Sequence, residues 1–181
     1  LDREIAKGEE GYVFLKLNSI TDRQLIDKLA QASQAGVEVV MNVRGICCLL
    51  PGVPGLTDHI RVFSVVGRYL EHTRIYCFGR GPRADLYLSS ADFMTRNTER
   101  RVEVACPIQD PSARRKVFHI IRELGSDGAW HFRKDAEREL DSQKKFQEEA
   151  LSAAQRRPDA PKPHLRKKSS VLQKYLHKLM K

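Results

Sequence analysis

Two short apolar runs joined by a helix-length segment constrain this chain more than any other feature. Tyr12-Val13-Phe14-Leu15-Lys16-Leu17 has the composition and alternation of a strand, and it stops at Asn18-Ser19. Thr21 and Asp22 can cap the helix that follows, on which Leu25, Ile26, Leu29, Ala30 and Ala32 recur at helical spacing. Gly36 then offers the left-handed conformation on which helices commonly end, and Val37-Glu38-Val39-Val40-Met41-Asn42-Val43 reads as a second strand. A helical crossover returns the chain to the end of the sheet from which it started, so the two strands are expected to be parallel, in a βαβ unit.

The second strand runs into Arg44-Gly45. Open α/β sheets place ligands at the carboxyl ends of their strands, so Arg44 is a candidate anion contact, against the plain alternative of a solvated arginine. The glycine beside it would let backbone approach a ligand closely. Pro51-Gly52-Val53-Pro54-Gly55 is a rigid double turn. Ile60 to Val66 reads as a third strand, and Arg74 to Phe78 pairs as a hairpin with Asp85 to Ser90 across the turn Gly79-Arg80-Gly81-Pro82. Arg100 to Pro107 is expected as the last strand, and Asp110-Pro111 starts a helix that carries Val117, Phe118, Ile120, Ile121 and Leu124 before it closes near Gly125. The expected fold class is α/β, a mixed, largely parallel sheet flanked by helices and followed by a C-terminal helical extension.

A chain of 181 residues with 41% hydrophobic content can build one core plus an appendage. No apolar run approaches the roughly 20 residues of a membrane helix, so a soluble, cytoplasmic protein is expected, and the opening Leu1 reads as the start of an excised piece. Cys47, Cys48, Cys77 and Cys106 contain no Cys-x-x-Cys pair for zinc or redox work. Adjacent Cys47 and Cys48, between Ile46 and Leu49, read as small buried apolar residues.

The net charge of +9 is uneven. From residue 131 onward 14 Lys+Arg face 7 Asp+Glu, so the tail carries +7 and the first 130 residues +2. The chain divides accordingly into 1–130 and a basic extension, 131–181. In the extension, Ala136 to Gln155 reads as an exposed helix and Pro158 to His164 as a linker, with a short amphipathic stripe (Val171, Leu172, Tyr175, Leu176, Leu179, Met180) at the end. Between Arg44 and Arg101 stand nine arginines and no lysine, a choice that suits bidentate capture of phosphate oxygens.

His72 and Arg74 stand two apart, before and at the start of an apolar strand. Residues i and i+2 of a strand share a face, so an imidazole able to move a proton near neutral pH and a planar fork of donors would serve one space. That pairing suits phosphoryl chemistry. Alone, His-x-Arg is short and common, and a strand end on a solvated face accounts for it equally.

Three stretches in this order tip the balance: Asn42-Val43-Arg44-Gly45-Ile46-Cys47-Cys48-Leu49 with Pro51 to Gly55; Gly67-Arg68-Tyr69-Leu70-Glu71-His72-Thr73-Arg74; and Ser89-Ser90-Ala91-Asp92-Phe93-Met94-Thr95-Arg96-Asn97. Together with Lys16 to Ser19 and Gln31 to Val37 they resemble, over about residues 12 to 130, the C-terminal catalytic domain of polyphosphate kinases of the first family. The resemblance implies a phospholipase-D-like fold in which two halves each contribute a histidine, this chain being the second half and the phosphorylated histidine lying on the missing companion. It implies that Arg44 contacts the phosphates of the nucleotide and that His72 is the second active-site histidine, with acid/base and phosphate-binding roles. Arg74, Arg96, Asn97 and Arg101 are candidates for the polyphosphate path, in a tunnel of arginines free of carboxylates, although Arg100 and Arg101 also fit a solvated pair. Nothing in the resemblance reaches past about residue 135.

The implied partners are ATP or ADP, inorganic polyphosphate, the missing N-terminal part of the enzyme and further copies of it. Magnesium is expected to accompany ATP, with no ligand set identifiable in the chain. Nucleic acid is not expected, and nothing in the sequence supports a peripheral membrane contact. Hydrolytic relatives carry Lys where this chain has Arg74 and Asp where it has Gly79, which disfavours a dimeric phosphodiesterase. A non-catalytic polyanion-binding module is the other alternative.

The extension yields its own prediction. A helix of about ten residues is not stable alone in water, so the stripe from Val171 to Met180 has to dock. Deleting residues 158–181 is expected to leave the core folded and to change either the oligomeric mass in light scattering or the salt dependence of polyphosphate binding. An unfolded product would instead make the stripe part of the core.

Overall fold

A computed structural model describes residues 1–65, 70–125 and 142–155. After a single helical turn, α1 (Asp2–Ile5), the chain forms β1 (Tyr12–Leu17), α2 (Arg23–Gln34) and β2 (Glu38–Val43), and β1 and β2 pair in parallel with Tyr12 opposite Glu38 and Leu17 opposite Val43. The side chain of Asp22 accepts the N–H of Leu25 at 3.1 Å, which is the N-cap its position suggested. Gly36 follows the helix at φ +90°, and a Cβ there would lie 2.9 Å from Glu9 Cγ, so both conformation and space require glycine.

Six strands form one sheet in the order β3-β2-β1-β4-β5-β6, with β3 at Ile60–Phe63, β4 at Arg74–Phe78, β5 at Asp85–Ser89 and β6 at Ala105–Pro107. The sheet is mixed, as expected, but it is not largely parallel. β1, β2 and β3 pair in parallel, whereas the three pairings β1–β4, β4–β5 and β5–β6 are antiparallel. The direction changes between β3 and β4: β4 enters the sheet against β1, and the β4–β5 hairpin and β6 continue the antiparallel half from it. Two strands are shorter than their sequence suggests. Ser64 and Val65 lie beyond the end of β3, and Arg100 to Val104 form no strand, because Val102 and Val104 are exposed at 98% and 58% and have no core to face.

Both faces of the sheet are covered. Val13, Leu15 and Leu17 of β1 and Val39, Met41 and Val43 of β2 point to one side, where Leu29 and Ala32 of α2 complete a cluster. Phe14 and Val40 point to the other, with Ile75, Cys77 and Leu86, against Val117 and Ile121 of α4 (Pro111–Gly125). Double coverage explains why β1 is buried from Val13 to Leu17 rather than alternating in exposure. Cys77 is one of these core residues, and burial pushes its thiol up to about 11. Cys47 and Cys48 are exposed, which corrects their reading as core residues. They lie in the loop after β2, where Leu49 is the residue that enters the core.

A second unit begins at Lys144. Helix α5 (Ser142–Gln155), which starts two residues before it, is exposed over residues 147–153, in keeping with its Glu-, Lys- and Gln-rich sequence. The proline-rich linker and the terminal stripe lie outside the described residues.

Leu29 is fully buried between α2 and the sheet. Leu29→Ala is expected to cost about 2–5 kcal/mol, read as a lowered urea midpoint with an unchanged slope.

Candidate functional site

The change from parallel to antiparallel pairing brings four chain segments to one edge of the sheet. The carboxyl ends of β1, β2 and β5 lie there beside the start of β4, because β4 runs against both β1 and β5. Beyond the strand ends the segments stay joined. Ile20 N–H donates to Ile46 O at 2.8 Å and Cys48 N–H to Ile20 O at 2.9 Å, while Thr21 N–H and Asp22 N–H both donate to Phe93 O, at 2.8 and 3.0 Å. Gly45 N–H donates to Asn18 O at 2.7 Å, and a Cβ on Gly45 would come within 2.9 Å of that oxygen. The close approach that this glycine permits is therefore to the neighbouring loop.

Asp92, 4% exposed, is the centre of this edge. Its Oδ1 accepts the backbone N–H of Asn18 at 2.6 Å and that of Ser19 at 3.3 Å, and the Asn18 Nδ2 amide lies within 3.4 Å of both carboxylate oxygens. Arg74 Nη2 donates to Oδ2 at 2.9 Å, from a side chain only 14% exposed. Burial alone would raise the Asp92 pKa, but the Arg74 bond, the Asn18 N–H and the charge of Arg74 outweigh it and hold the carboxyl below its ordinary value.

The network extends at both ends. Arg74 Nη1 lies 3.2 Å from His72 Nδ1 and also donates to His72 O at 3.2 Å. Arginine can only donate, so a neutral His72 ring in this contact has its lone pair on Nδ1 and its proton on Nε2. On the other side Arg44 Nε and Nη2 donate to Asn18 Oδ1 at 3.2 and 3.1 Å. Arg44, Asn18, Asp92, Arg74 and His72 thus form one continuous chain of contacts. His72 is itself exposed.

Lys16 lies beneath this edge and is fully buried. It shares the side of the sheet occupied by Phe14 and Val40, and its Nζ donates to Glu71 O and Thr73 O, both at 3.1 Å. Burial pulls its pKa down. Asn42, opposite it in register on β2, is equally buried, and neither its Oδ1 nor its Nδ2 has a partner among the described residues.

The structure separates the remaining sequence candidates from this network. Arg96 is exposed on the short helix α3 (Thr95–Glu99). Asn97 is buried and gives its Nδ2 to Glu103, and Arg101 pairs with the same carboxylate at 3.3 Å. Hydrogen bonds from Ser90 and Asn97 hold Glu103 below its ordinary pKa. Glu103 and Asp92 correct the expectation of arginines without carboxylates: Arg74 and Arg101 each face one. Asn18, Asp92 and Lys16 had no assigned role in the sequence reading. A visible signal existed for Lys16, a lysine inside an apolar strand, and for Asp92, in a polar turn just past the end of a strand.

Among the described residues no three His, Cys, Asp or Glu side chains gather as a metal site. Asp92, the buried carboxylate at this edge, has both oxygens committed to N–H donors. Its donor set fits an arginine and not a divalent cation.

Removing one partner of a buried pair leaves the other charge uncompensated. Asp92→Asn is expected to lower stability by about 3 kcal/mol at pH 7. Because the folded pKa of Asp92 is depressed, its contribution is complete above the unfolded carboxylate value of about 4 and is lost as pH falls through the folded value. Urea denaturation at pH 7 and in steps down to pH 3 is expected to show the wild-type advantage shrinking below about pH 4.

Comparison with known proteins places this geometry. Residues 1–155 match the family described as polyphosphate kinase C-terminal domain 2, which extends the match beyond the point where the sequence resemblance stopped. The polyphosphate kinase of Bacillus anthracis is 48% identical over 148 residues, 75% of this chain and 21% of that protein. The polyphosphate kinase of Escherichia coli K12 is 48% identical over 130 residues, covering 70% of this chain and 19% of that protein. The crystal structure of polyphosphate kinase from Porphyromonas gingivalis superposes with a TM-score of 0.74 at 36% identity, over 85% of this chain and 26% of that one. The chain spans about a fifth of the length of the curated relatives it matches. It belongs to the polyphosphate kinase family and carries that family's C-terminal domain 2.

Proposed function

We propose that this chain is the second catalytic domain of a polyphosphate kinase that reversibly moves the terminal phosphate of ATP onto inorganic polyphosphate, through a phosphohistidine on a companion domain of the same enzyme. The observation that carries the reading is the continuous contact chain from Arg44 to His72 at one edge of the sheet. It joins a cation suited to phosphate oxygens and a titratable ring through groups that hold both in place.

The chemistry of each residue follows from its contacts. Arg44 spends Nε and one Nη2 proton on a neutral amide, and Nη1 donates no hydrogen bond among the described residues. Its charge and the Nη1 donors remain for phosphate oxygens, where a guanidinium binds bidentately. His72, with Nδ1 occupied by Arg74, presents Nε2–H outward as a donor to a phosphoryl oxygen and as the atom through which a proton is given or taken. Arg74 acts chiefly by orienting that ring. Arg96, exposed on α3, is the candidate left for the polyphosphate path, because Asn97 and Arg101 are engaged with Glu103. Phosphoryl transfer rests on positioning and charge stabilisation, which is what a fixed arginine and a fixed imidazole supply. Magnesium enters with the nucleotide, as part of the substrate.

The same reading places the enzyme in the cytoplasm as a homo-oligomer. The four cysteines of this chain are free, and no helix among the described residues is long and apolar enough to cross a membrane. Against phosphodiester hydrolysis, the position of the hydrolytic aspartate is Gly79, at φ +86° in the turn at the far end of β4 from His72.

In the full-length enzyme, His72→Ala is expected to lower turnover roughly 10²–10⁴-fold with a smaller effect on binding. Arg44→Ala is expected to weaken binding of ATP and polyphosphate. Transfer of label from γ-labelled ATP to polyphosphate, measured across substrate concentrations, separates the two effects. Wild-type turnover in His72→Ala would remove the catalytic assignment, and hydrolysis of a phosphodiester by this chain alone would favour the phosphodiesterase.

A further inference from the structure

His72 precedes β4 and belongs to no strand, so no ladder of backbone bonds holds it. Its carbonyl neighbours are nonetheless all occupied. Leu70 O accepts the N–H of His72 at 3.1 Å, Glu71 O and Thr73 O accept Lys16 Nζ at 3.1 Å, and His72 O accepts Arg74 Nη1 at 3.2 Å. One group, the Lys16 ammonium, thus bonds the carbonyls on either side of the histidine.

Lys16 is also a costly residue to place there. An ammonium group taken from water into a protein interior loses several kcal/mol of hydration unless its donors are satisfied. An apolar side chain at this position would extend the cluster of Phe14, Val40 and Ile75 without that loss. Beside it Asn42, fully buried and without a partner among the described residues, makes a second polar break in the same apolar face. The two breaks lie opposite each other in register near the carboxyl ends of adjacent strands, and Lys16 is the one bonded to the loop that carries His72.

We propose that Lys16 is a positioning residue for His72: by donating to Glu71 O and Thr73 O it fixes the backbone that aims the imidazole, and it touches no substrate. The proposal rests on the catalytic reading of His72. Misplacement of a reacting group by about 1 Å can cost on the order of 10²-fold in rate.

The test uses the full-length enzyme. Lys16→Met, which keeps the length and removes the donors, is expected to lower kcat roughly 10- to 100-fold while KM for ATP and for polyphosphate changes less than about threefold. Lys16→Arg, which restores a cation and donors, is expected to recover part of the loss. The readout that a merely structural role would not give is the double variant. If Lys16 acts through His72, Lys16→Met combined with His72→Ala is no slower than His72→Ala alone.

Wild-type kcat in soluble Lys16→Met, or a loss that multiplies with that of His72→Ala, overturns the proposal. If Lys16→Met does not fold, hydrogen exchange at residues 70–74 of the Lys16→Arg enzyme decides: faster exchange confined to this loop supports the proposal, and unchanged exchange with unchanged kcat overturns it. Wild-type turnover in His72→Ala would mark the failure of the underlying reading instead.

Discussion

The Asp92 carboxylate holds the edge of the sheet together. It is 4% exposed, and a lone buried carboxylate would be unfavourable by several kcal/mol. Two backbone N–H groups, an amide and a guanidinium surround it, and bonds to a charged acceptor are about twice as strong as neutral ones. These donors come from the end of β1 and the start of β4, while Asp92 itself follows β5. One anion therefore fixes three elements, and through Asn18 it fixes the arginine after β2 as well.

That arrangement depends on where the sheet changes direction. Had the chain continued in parallel after β3, the start of β4 would lie at the opposite edge from the ends of β1 and β2, and His72 could not meet Asp92 through Arg74. The antiparallel docking of β4 on β1, with Lys16 opposite Ile75, brings residues 71–74 over the end of β1. Lys16 can then reach the loop from below. Topology, rather than any one residue, makes the five-residue contact chain possible, and Gly45 keeps it compact by letting the loop after β2 lie against Asn18.

Much of this was legible in the sequence because the relevant signals are local. The βαβ unit, the cap at Asp22, the glycine after α2 and the β4–β5 hairpin each depend on residues within a few positions of one another. Arg44 and His72, which the structure joins in one chain of contacts, were singled out from a strand end and a short motif. What stayed hidden was long-range pairing. The direction of β4 relative to β1 is not written in either strand, so the parallel character was overestimated. Val102 and Val104 have a strand's composition but no sheet face to cover. Asp92 pairs with Asn18 across 74 positions, and no local pattern announces such a contact. Cys47 and Cys48 were misread for the converse reason: their apolar neighbours suggested a core, but of that run it is Leu49 that enters it, and both cysteines are exposed.

The run of nine arginines has a different meaning once partners are known. Arg61 and Arg80 share the carboxylate of Glu38, Arg101 pairs with Glu103, and Arg74 with Asp92. A guanidinium neutralised by a carboxylate contributes little to the field felt by an approaching polyanion. A count of arginines therefore overstates the capacity of this domain for phosphate. Arg44 differs in kind from Arg74 at the same edge, because the group that fixes it, the oxygen of Asn18, carries no charge. It is oriented without being neutralised. An arginine held in this way keeps its full attraction for an anion and gives up less conformational freedom on binding it. The two cations of the network thus differ: Arg74 is neutralised by Asp92, and Arg44 keeps its charge open to an anion.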